Sequence, residues 1–312
     1  MARRIVLDCD PGHDDAVALL LAHGNPEVEL VAVTTVAGNQ TLDKVTWNAR
    51  SVATLAGITG VPIAAGCDRP LVRDLTVAAH IHGVSGLDGT RLPEPTAELD
   101  PRHAVDVIIE SIMAADPGEI TLVPTAPLTN IAMAMRREPR IVPRVREVVL
   151  MGGSCTRGNI TPAAEFNVAV DPEAAAAVFA GEWPVTMVGL DLTHQALTTA
   201  DVLARIAAIG TPVATAVVEL LTFYRRSYQA DQRMSDPPMH DPCAVARVIA
   251  PDVMAVRDAF VAVETQGRWT SGMTVTDFGR TPNTLVATTL DVPRFWDLVI
   301  DALTAIGTPV VT

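Results

Sequence analysis

Four aspartates crowd into eight residues near the start of the chain, in the run Asp8-Cys9-Asp10-Pro11-Gly12-His13-Asp14-Asp15. If the run begins as a strand, residues 8 and 10 project to one side, because side chains alternate with a period of two. Pro11-Gly12 then turns the chain sharply. Asp14 and Asp15 fall at a helix N-terminus, where free N–H groups and the helix dipole favour carboxylates. Buried together, the four carboxylates repel one another unless a cation joins them. A hard divalent ion resolves that conflict. Ca²⁺, which takes about six to eight oxygen ligands, suits an oxygen-rich, histidine-poor cluster. The plainer alternative is that Asp14 or Asp15 only caps the helix, with Asp8 exposed.

Positioning such a cluster requires elements that end together. Arg4–Cys9 reads as a buried strand and Asp14–Ala22 as a helix closed by Gly24. Strand Val28–Val36, helix Thr41–Ala56 and short strand Val61–Ala64 follow. An irregular Gly-, Pro- and Asp-rich stretch runs from Gly66 to Leu99, and Asp100-Pro101 caps a helix to Ala115. Strand Ile120–Val123, helix Leu128–Arg136 and strand Glu147–Met151 continue the alternation, before a second irregular segment over Gly152–Asn167. A helix opens at Asp171-Pro172, strand Val185–Leu190 follows, and helices are expected at Thr199–Ala208, Pro212–Tyr228 and Pro242–Ile249. Three β-like runs (Ala259–Glu264, Met273–Thr276, Thr284–Leu290) precede a last helix from Arg294 to Ala305. Continuous apolar strands alternating with helices predict a single α/β domain over residues 1–312: a mostly parallel, open twisted, Rossmann-like sheet flanked by helices, with a small C-terminal β element. Ligands in such folds bind beyond the carboxyl ends of the strands. Asp8, Asp10, Thr35, Asn39, Thr125, the stretch 154–167 and Asp191 all fall there.

Composition excludes more than it identifies. The chain has 312 residues, 49% hydrophobic and 19% charged, which argues against disorder. A formal net charge of −13 disfavours nucleic acid as the main partner, since phosphate binding needs clustered Lys and Arg. No apolar run is long enough for a membrane span or a signal peptide, so a cytoplasmic protein is expected. Cys9, Cys67, Cys155 and Cys243 lack metal-ligand spacing and read as reduced, inert thiols. A competing chemistry is Mg²⁺-dependent phosphoryl transfer by an Asp-x-Asp strand end. Such enzymes usually continue with Thr two residues on and carry a later Lys, whereas this chain continues Pro11-Gly12-His13-Asp14-Asp15.

At this segment the sequence resembles the inosine–uridine preferring nucleoside hydrolase family, whose signature is close to Asp-x-Asp-Pro-Gly-x-Asp-Asp-Ala. The resemblance continues through Thr34-Thr35-Val36-Ala37-Gly38-Asn39, His82-Gly83, Gly86-Leu87-Asp88-Gly89, Thr125-Ala126-Pro127-Leu128-Thr129-Asn130 and Met151-Gly152-Gly153. Asn159, Glu165-Phe166-Asn167, Asp171-Pro172 and His240-Asp241-Pro242 complete it, in the family's order. It implies Ca²⁺-dependent hydrolysis of the bond between ribose and nucleobase, on inosine, uridine or other pyrimidine ribonucleosides. It further implies Ca²⁺ held by Asp10, Asp15, Asp241 and the Thr125 carbonyl, with Asp10 also the general base on water. Asp14, Asn39, Asn159, Glu165 and Asn167 would hold the ribose, with Met151 and Phe166 lining its pocket.

His240, by the same resemblance, is the candidate general acid for the leaving base, and His82 fits the base-side wall. Tyr224 and Tyr228 lie one turn apart on one helix face, where core packing explains them as well as base contact does; Tyr228 is the base-site candidate. Arg233, in an expected mobile loop over Gln229–Met239, is another. Asp241 could equally cap a helix, as other Asp-Pro pairs here do. His13 is assigned no role. A homodimer or homotetramer is expected. The alternatives left open are a nucleoside- or ribose-binding protein without turnover and a hydrolase of a non-standard ribosyl compound.

Overall fold

The computed structural model describes residues 2–306. Its strands are β1 (Arg3–Cys9), β2 (Val28–Thr35), β3 (Ile63–Ala65), β4 (Leu99–Asp100), β5 (Ile120–Pro124), β6 (Glu147–Met151), β7 (Val185–Val188), β8 (Met254–Val263), β9 (Thr274–Asp277) and β10 (Thr284–Leu290). They form one ten-stranded sheet in the order β4-β3-β2-β1-β5-β6-β7-β10-β8-β9. Pairing is parallel from β4 to β10, while β8 and β9 are added antiparallel. The C-terminal β runs are therefore an extension of the main sheet, with β10 laid directly beside β7.

Alternation along β1 sorts the core into two layers. Ile5, Leu7 and Cys9 pack on one face with residues of helices His13–Gly24, Asp241–Ile249 and Val292–Ile306. Val6 packs on the other face with residues of helices Ala104–Ala114, Thr129–Arg137 and Pro172–Phe179. Both faces are covered, which is why the central strands are apolar throughout. The order of connection reverses at β1: the chain builds outward through β2, β3 and β4, then returns to place β5 on the other flank. Such a reversal opens a crevice at the strands' carboxyl ends, and β1 delivers Asp8 and Asp10 to it.

Several boundaries differ from those expected. His103, not Asp100, caps the helix Ala104–Ala114, by accepting from the Val105 N–H at 3.2 Å, and Asp100 instead sits in the two-residue edge strand β4. The irregular stretch after β3 contains a four-residue helix, Ala79–His82. β8 starts at Met254, earlier than its apolar run, and its opening residues include exposed Ala255, Arg257 and Asp258. The helix Pro212–Asp231 continues beyond Tyr228 and takes in part of the expected loop.

Candidate active site

Pro11 and Gly12 turn the chain from β1 straight into the helix His13–Gly24. The turn is tight: a Cβ on Gly12 would stand 2.5 Å from His82 Nδ1 and 2.9 Å from Asn39 Nδ2. Asp15 closes the helix start, its Oδ2 accepting from the Gly12 N–H at 3.1 Å and from Asn39 Nδ2 at 3.2 Å. Its Oδ1 accepts from Thr125 Oγ1 at 3.0 Å and from the Asp10 N–H at 3.3 Å. One carboxylate thereby ties β1, the loop after β2 and the loop after β5 together.

Asp14, Asp15 and Asp241 offer carboxylate oxygens that lie within 4.8 Å of one another, all buried. Asp10 stands beside them. Its Oδ2 accepts from the Asn39 N–H at 2.6 Å, while its Oδ1 is buried without a partner. Asp241 is the first residue of helix Asp241–Ile249, and the N-cap position belongs to His240, whose side chain makes no capping bond. Asp8 does not join the cluster as expected. Its Oδ1 accepts from Thr34 Oγ1 at 2.7 Å and Asn130 Nδ2 at 2.8 Å. The side-chain period that puts residues 8 and 10 on one side holds only while the strand lasts, and Asp10 already lies past its end.

Burial, reinforced by neighbouring carboxylates, pushes Asp10 and Asp241 well above the ordinary carboxylate range and Asp14 up to about 7. Asp15 is raised as well, again mainly by burial. An orphaned buried carboxylate oxygen is costly, and here it adjoins three more carboxylates with no Lys or Arg in the cavity wall. A donor set made wholly of oxygen fits a hard divalent cation.

The cavity above this cluster is lined by Asp14, Asn39, His82, Thr125, Met151, Asn159, Glu165, Phe166, Asn167, Tyr228, His240 and Asp241. Asp10 and Asp15 lie beneath its floor, fully buried. Glu165 caps helix Phe166–Val170, accepting from the N–H groups of Asn167 (2.9 Å), Val168 (3.1 Å) and Gly153 (2.9 Å). Burial still raises it to about 7. Asn167 Nδ2 donates to the Thr125 carbonyl at 3.0 Å and the Met151 carbonyl at 3.2 Å, so the ends of β5 and β6 are clamped. Asn159 Oδ1 accepts from the Phe166 N–H at 2.9 Å.

The far end is built from rings. His240 Nδ1 lies 2.8 Å from Thr193 Oγ1, and its Nε2 lies 2.9 Å from Tyr228 Oη. Tyr224 Oη donates to Tyr228 Oη at 3.3 Å. Burial lowers His240 to about 3 and His82 well below the ordinary imidazole range, so both rings are neutral at physiological pH. His13, given no role from sequence, stacks on both His82 and Tyr224. Arg233 is exposed, in the left-handed region at φ 57°, and does not line the cavity. Its neighbour Gln232 does, reaching the Asn159 carbonyl at 3.5 Å. Ala78, His80, Ile81, Ile160 and Tyr224 complete the wall. Of these only Tyr224 carried a sequence signal, its one-turn spacing from Tyr228.

The sequence profile of a family described as inosine-uridine preferring nucleoside hydrolase matches residues 5–297. Over 315 aligned residues the chain is 57% identical to the inosine-uridine preferring nucleoside hydrolase of Crithidia fasciculata, covering 99% of this chain and 100% of that protein. It is 46% identical to the pyrimidine-specific ribonucleoside hydrolase RihA of Enterobacter sp. (strain 638), covering 97% and 98%. Among solved structures, the purine-preferring ribonucleoside hydrolase from Gardnerella vaginalis superposes with a TM-score of 0.92 at 31% identity, over 98% of this chain and 99% of that one. With a profile match over nearly its whole length and relatives this similar, the chain belongs to the inosine-uridine preferring nucleoside hydrolase family.

Proposed function

We propose that this protein hydrolyses the N-glycosidic bond of ribonucleosides to ribose and free base, with Ca²⁺ as its metal and inosine and uridine as preferred substrates. The observation that carries this reading is Asp10 Oδ1, buried without a partner beside the Asp14–Asp15–Asp241 cluster on the floor of the cavity. Asp10, Asp15, Asp241 and the Thr125 carbonyl would hold the ion. When bound, Ca²⁺ offsets their mutual repulsion and orients a water and the ribose diol, which also disfavours 2′-deoxyribonucleosides.

Asp10 takes the proton from the water that attacks C1′. Cleavage of the C1′–N bond builds positive charge on the sugar, as in oxocarbenium-like glycosidase transition states. The acidic wall favours that charge over the neutral ground state. Asp14, Asn39, Asn159, Glu165 and Asn167 hold the ribose hydroxyls, against Met151 and Phe166.

The leaving base needs a proton, and a neutral His240 does not supply it as an imidazolium. The ring geometry supports a relay. If His240 Nε2–H and Tyr224 O–H both donate to Tyr228 Oη, the Tyr228 proton is free to enter the cavity. Tyr228 then protonates the base, and the phenolate left behind is held by hydrogen bonds from His240 Nε2–H and Tyr224 O–H. Solvent returns its proton after product release, and His82 forms the base-side wall. One relative is named inosine-uridine preferring and another pyrimidine-specific, which supports a pyrimidine-accepting site. We further propose a homodimer or homotetramer and a cytoplasmic location. Four free cysteines agree with a reducing compartment, and among the described residues no helix is long and apolar enough to cross a membrane.

The test is a panel of ribonucleosides, assayed for free ribose with and without EDTA. Release abolished by EDTA and restored by Ca²⁺ is the expected outcome. Ca²⁺-dependent nucleoside binding without release from any member would make the chain a binding protein instead.

A further inference from the structure

The segment from Gly152 to Glu165 belongs to no helix or strand, so the sheet ladder does not fix where the Glu165 carboxylate stands. Two of the three bonds that Glu165 accepts come from its own helix, from the N–H groups of Asn167 and Val168. The third, from the Gly153 N–H to Oε2 at 2.9 Å, ties the carboxylate to the end of β6. Gly153 sits in the left-handed region at φ 73°. With no Cβ to limit its backbone, its direction depends on what holds the next peptide.

Thr274 holds it. Its Oγ1 accepts from the Ser154 N–H at 2.8 Å and donates to the Ser154 carbonyl at 2.6 Å. Its methyl closes on the neighbouring residue, since a Cβ on Gly153 would stand 2.8 Å from Thr274 Cγ2. Thr274 is the single buried residue of β9, and β9 is an edge strand with three strands between it and β6. These bonds are therefore made by one side chain reaching a strand-end segment outside the ladder. The same hairpin also bears on the stretch flanking Glu165: a Cβ on Gly272 would stand 2.8 Å from Ala169 Cα and 3.1 Å from Ala164 Cβ. Arg73 secures the hairpin in turn, donating to the Thr265 carbonyl at 2.7 Å while it pairs with Glu173.

We propose that Thr274 is a positioning residue for the ribose end of the cavity, acting through Gly153 and Ser154 on Glu165. This rests on the ribonucleoside reading, in which Glu165 holds a ribose hydroxyl. A hydrogen bond to a bound hydroxyl tolerates a displacement of only about 0.5 Å, and the Thr274 clasp sets that position from an edge strand more than a hundred residues further along the chain.

The experiment measures kcat and KM for uridine and inosine on the calcium-loaded wild type, Thr274→Val, Thr274→Ser, Glu165→Gln and the double variant Thr274→Val with Glu165→Gln. Thr274→Val keeps the shape and loses the hydroxyl. It should raise KM about tenfold for both nucleosides, which share the ribose, with kcat held within about threefold. Thr274→Ser, which keeps the hydroxyl, should recover most of the loss. On the Glu165→Gln background, Thr274→Val should change KM by less than about twofold. Amide hydrogen exchange without nucleoside gives a second readout: Gly153 and Ser154 should exchange about tenfold faster in Thr274→Val, with the β5 amides unchanged. Should Thr274→Val fail to fold, Thr274→Cys, a weaker donor, serves in the same comparisons. A lower kcat at unchanged KM, a full tenfold effect in the double variant, or exchange accelerated equally everywhere would each overturn this proposal alone. An unchanged KM in Glu165→Gln would overturn the ribose role of Glu165 and this proposal with it.

Discussion

Replacing Asp10 by asparagine separates two things its buried carboxylate does. As the proposed base on water it would contribute to rate, so Asp10→Asn should lower kcat by about a thousandfold. As a partnerless buried charge among carboxylates it costs stability when no ion is present. The EDTA-treated variant should accordingly melt above the EDTA-treated wild type; a lower melting temperature would show that the acidic cluster is not under strain. His240 yields a prediction of opposite character. An imidazolium donor loses its proton as pH rises past about 6.5, but this ring is neutral down to about 3. No fall in kcat as pH rises from about 6.5 to 8.5 is therefore expected, and a loss of activity across that range would argue for a charged donor. At this scale the sequence was readable where residues cluster in the chain, as at Asp10, Asp14 and Asp15. It was unreadable where a single wall position comes from a helix end: Gln232 and Arg233 are adjacent, and only the point at which the Pro212–Asp231 helix stops decides which of them faces the cavity.

Elements bring these residues to within a few ångströms, and the glycines between them show how little room remains. A Cβ on Gly38, in the turn after β2, would fall 2.1 Å from Asp10 Oδ2. Gly38→Ala should thus weaken Ca²⁺ binding by more than tenfold, read by calorimetry, while far-ultraviolet circular dichroism stays unchanged; unaltered affinity would mean that the turn can yield. Glu165 works through an element too, since it caps the Phe166–Val170 helix while lining the cavity. Glu165→Gln keeps one acceptor and loses the charge, so it should cost about 1 kcal/mol of stability and raise KM more than it lowers kcat. Long periodic elements were plain in the sequence, because helix His13–Gly24 and strand β1 bury nearly continuous apolar runs. The four-residue helix Ala79–His82 and the two-residue β4 were not, being too short for any period to register. β8 was half legible, because exposed Arg257 and Asp258 break its apolar run.

On the scale of the whole molecule, pH and metal act on stability together. Asp8, Asp14 and Glu165 are raised to about 7 in the folded chain, mainly by burial. Between about pH 4 and 7 the folded state keeps protons that the unfolded chain has released, so this contribution is full below about 4 and is lost as pH rises through about 7. The metal-free protein should melt at progressively lower temperature from pH 5 to 8, and the rise in melting temperature on adding Ca²⁺ should be larger at pH 8 than at pH 5. A Ca²⁺ effect that shrinks as pH rises would contradict the acidic cluster as the binding site. The sheet order adds a constraint in time. β1 needs β5, β7 needs β10, and the carboxylates of Asp14 and Asp15 wait for Asp241 from near the other end of the chain. Closing such long loops comes before the contacts that reward it. A growing chain on the ribosome therefore carries its acidic turn for most of its synthesis without the remaining ligand, and the cation can lock the fold only after the final helices emerge.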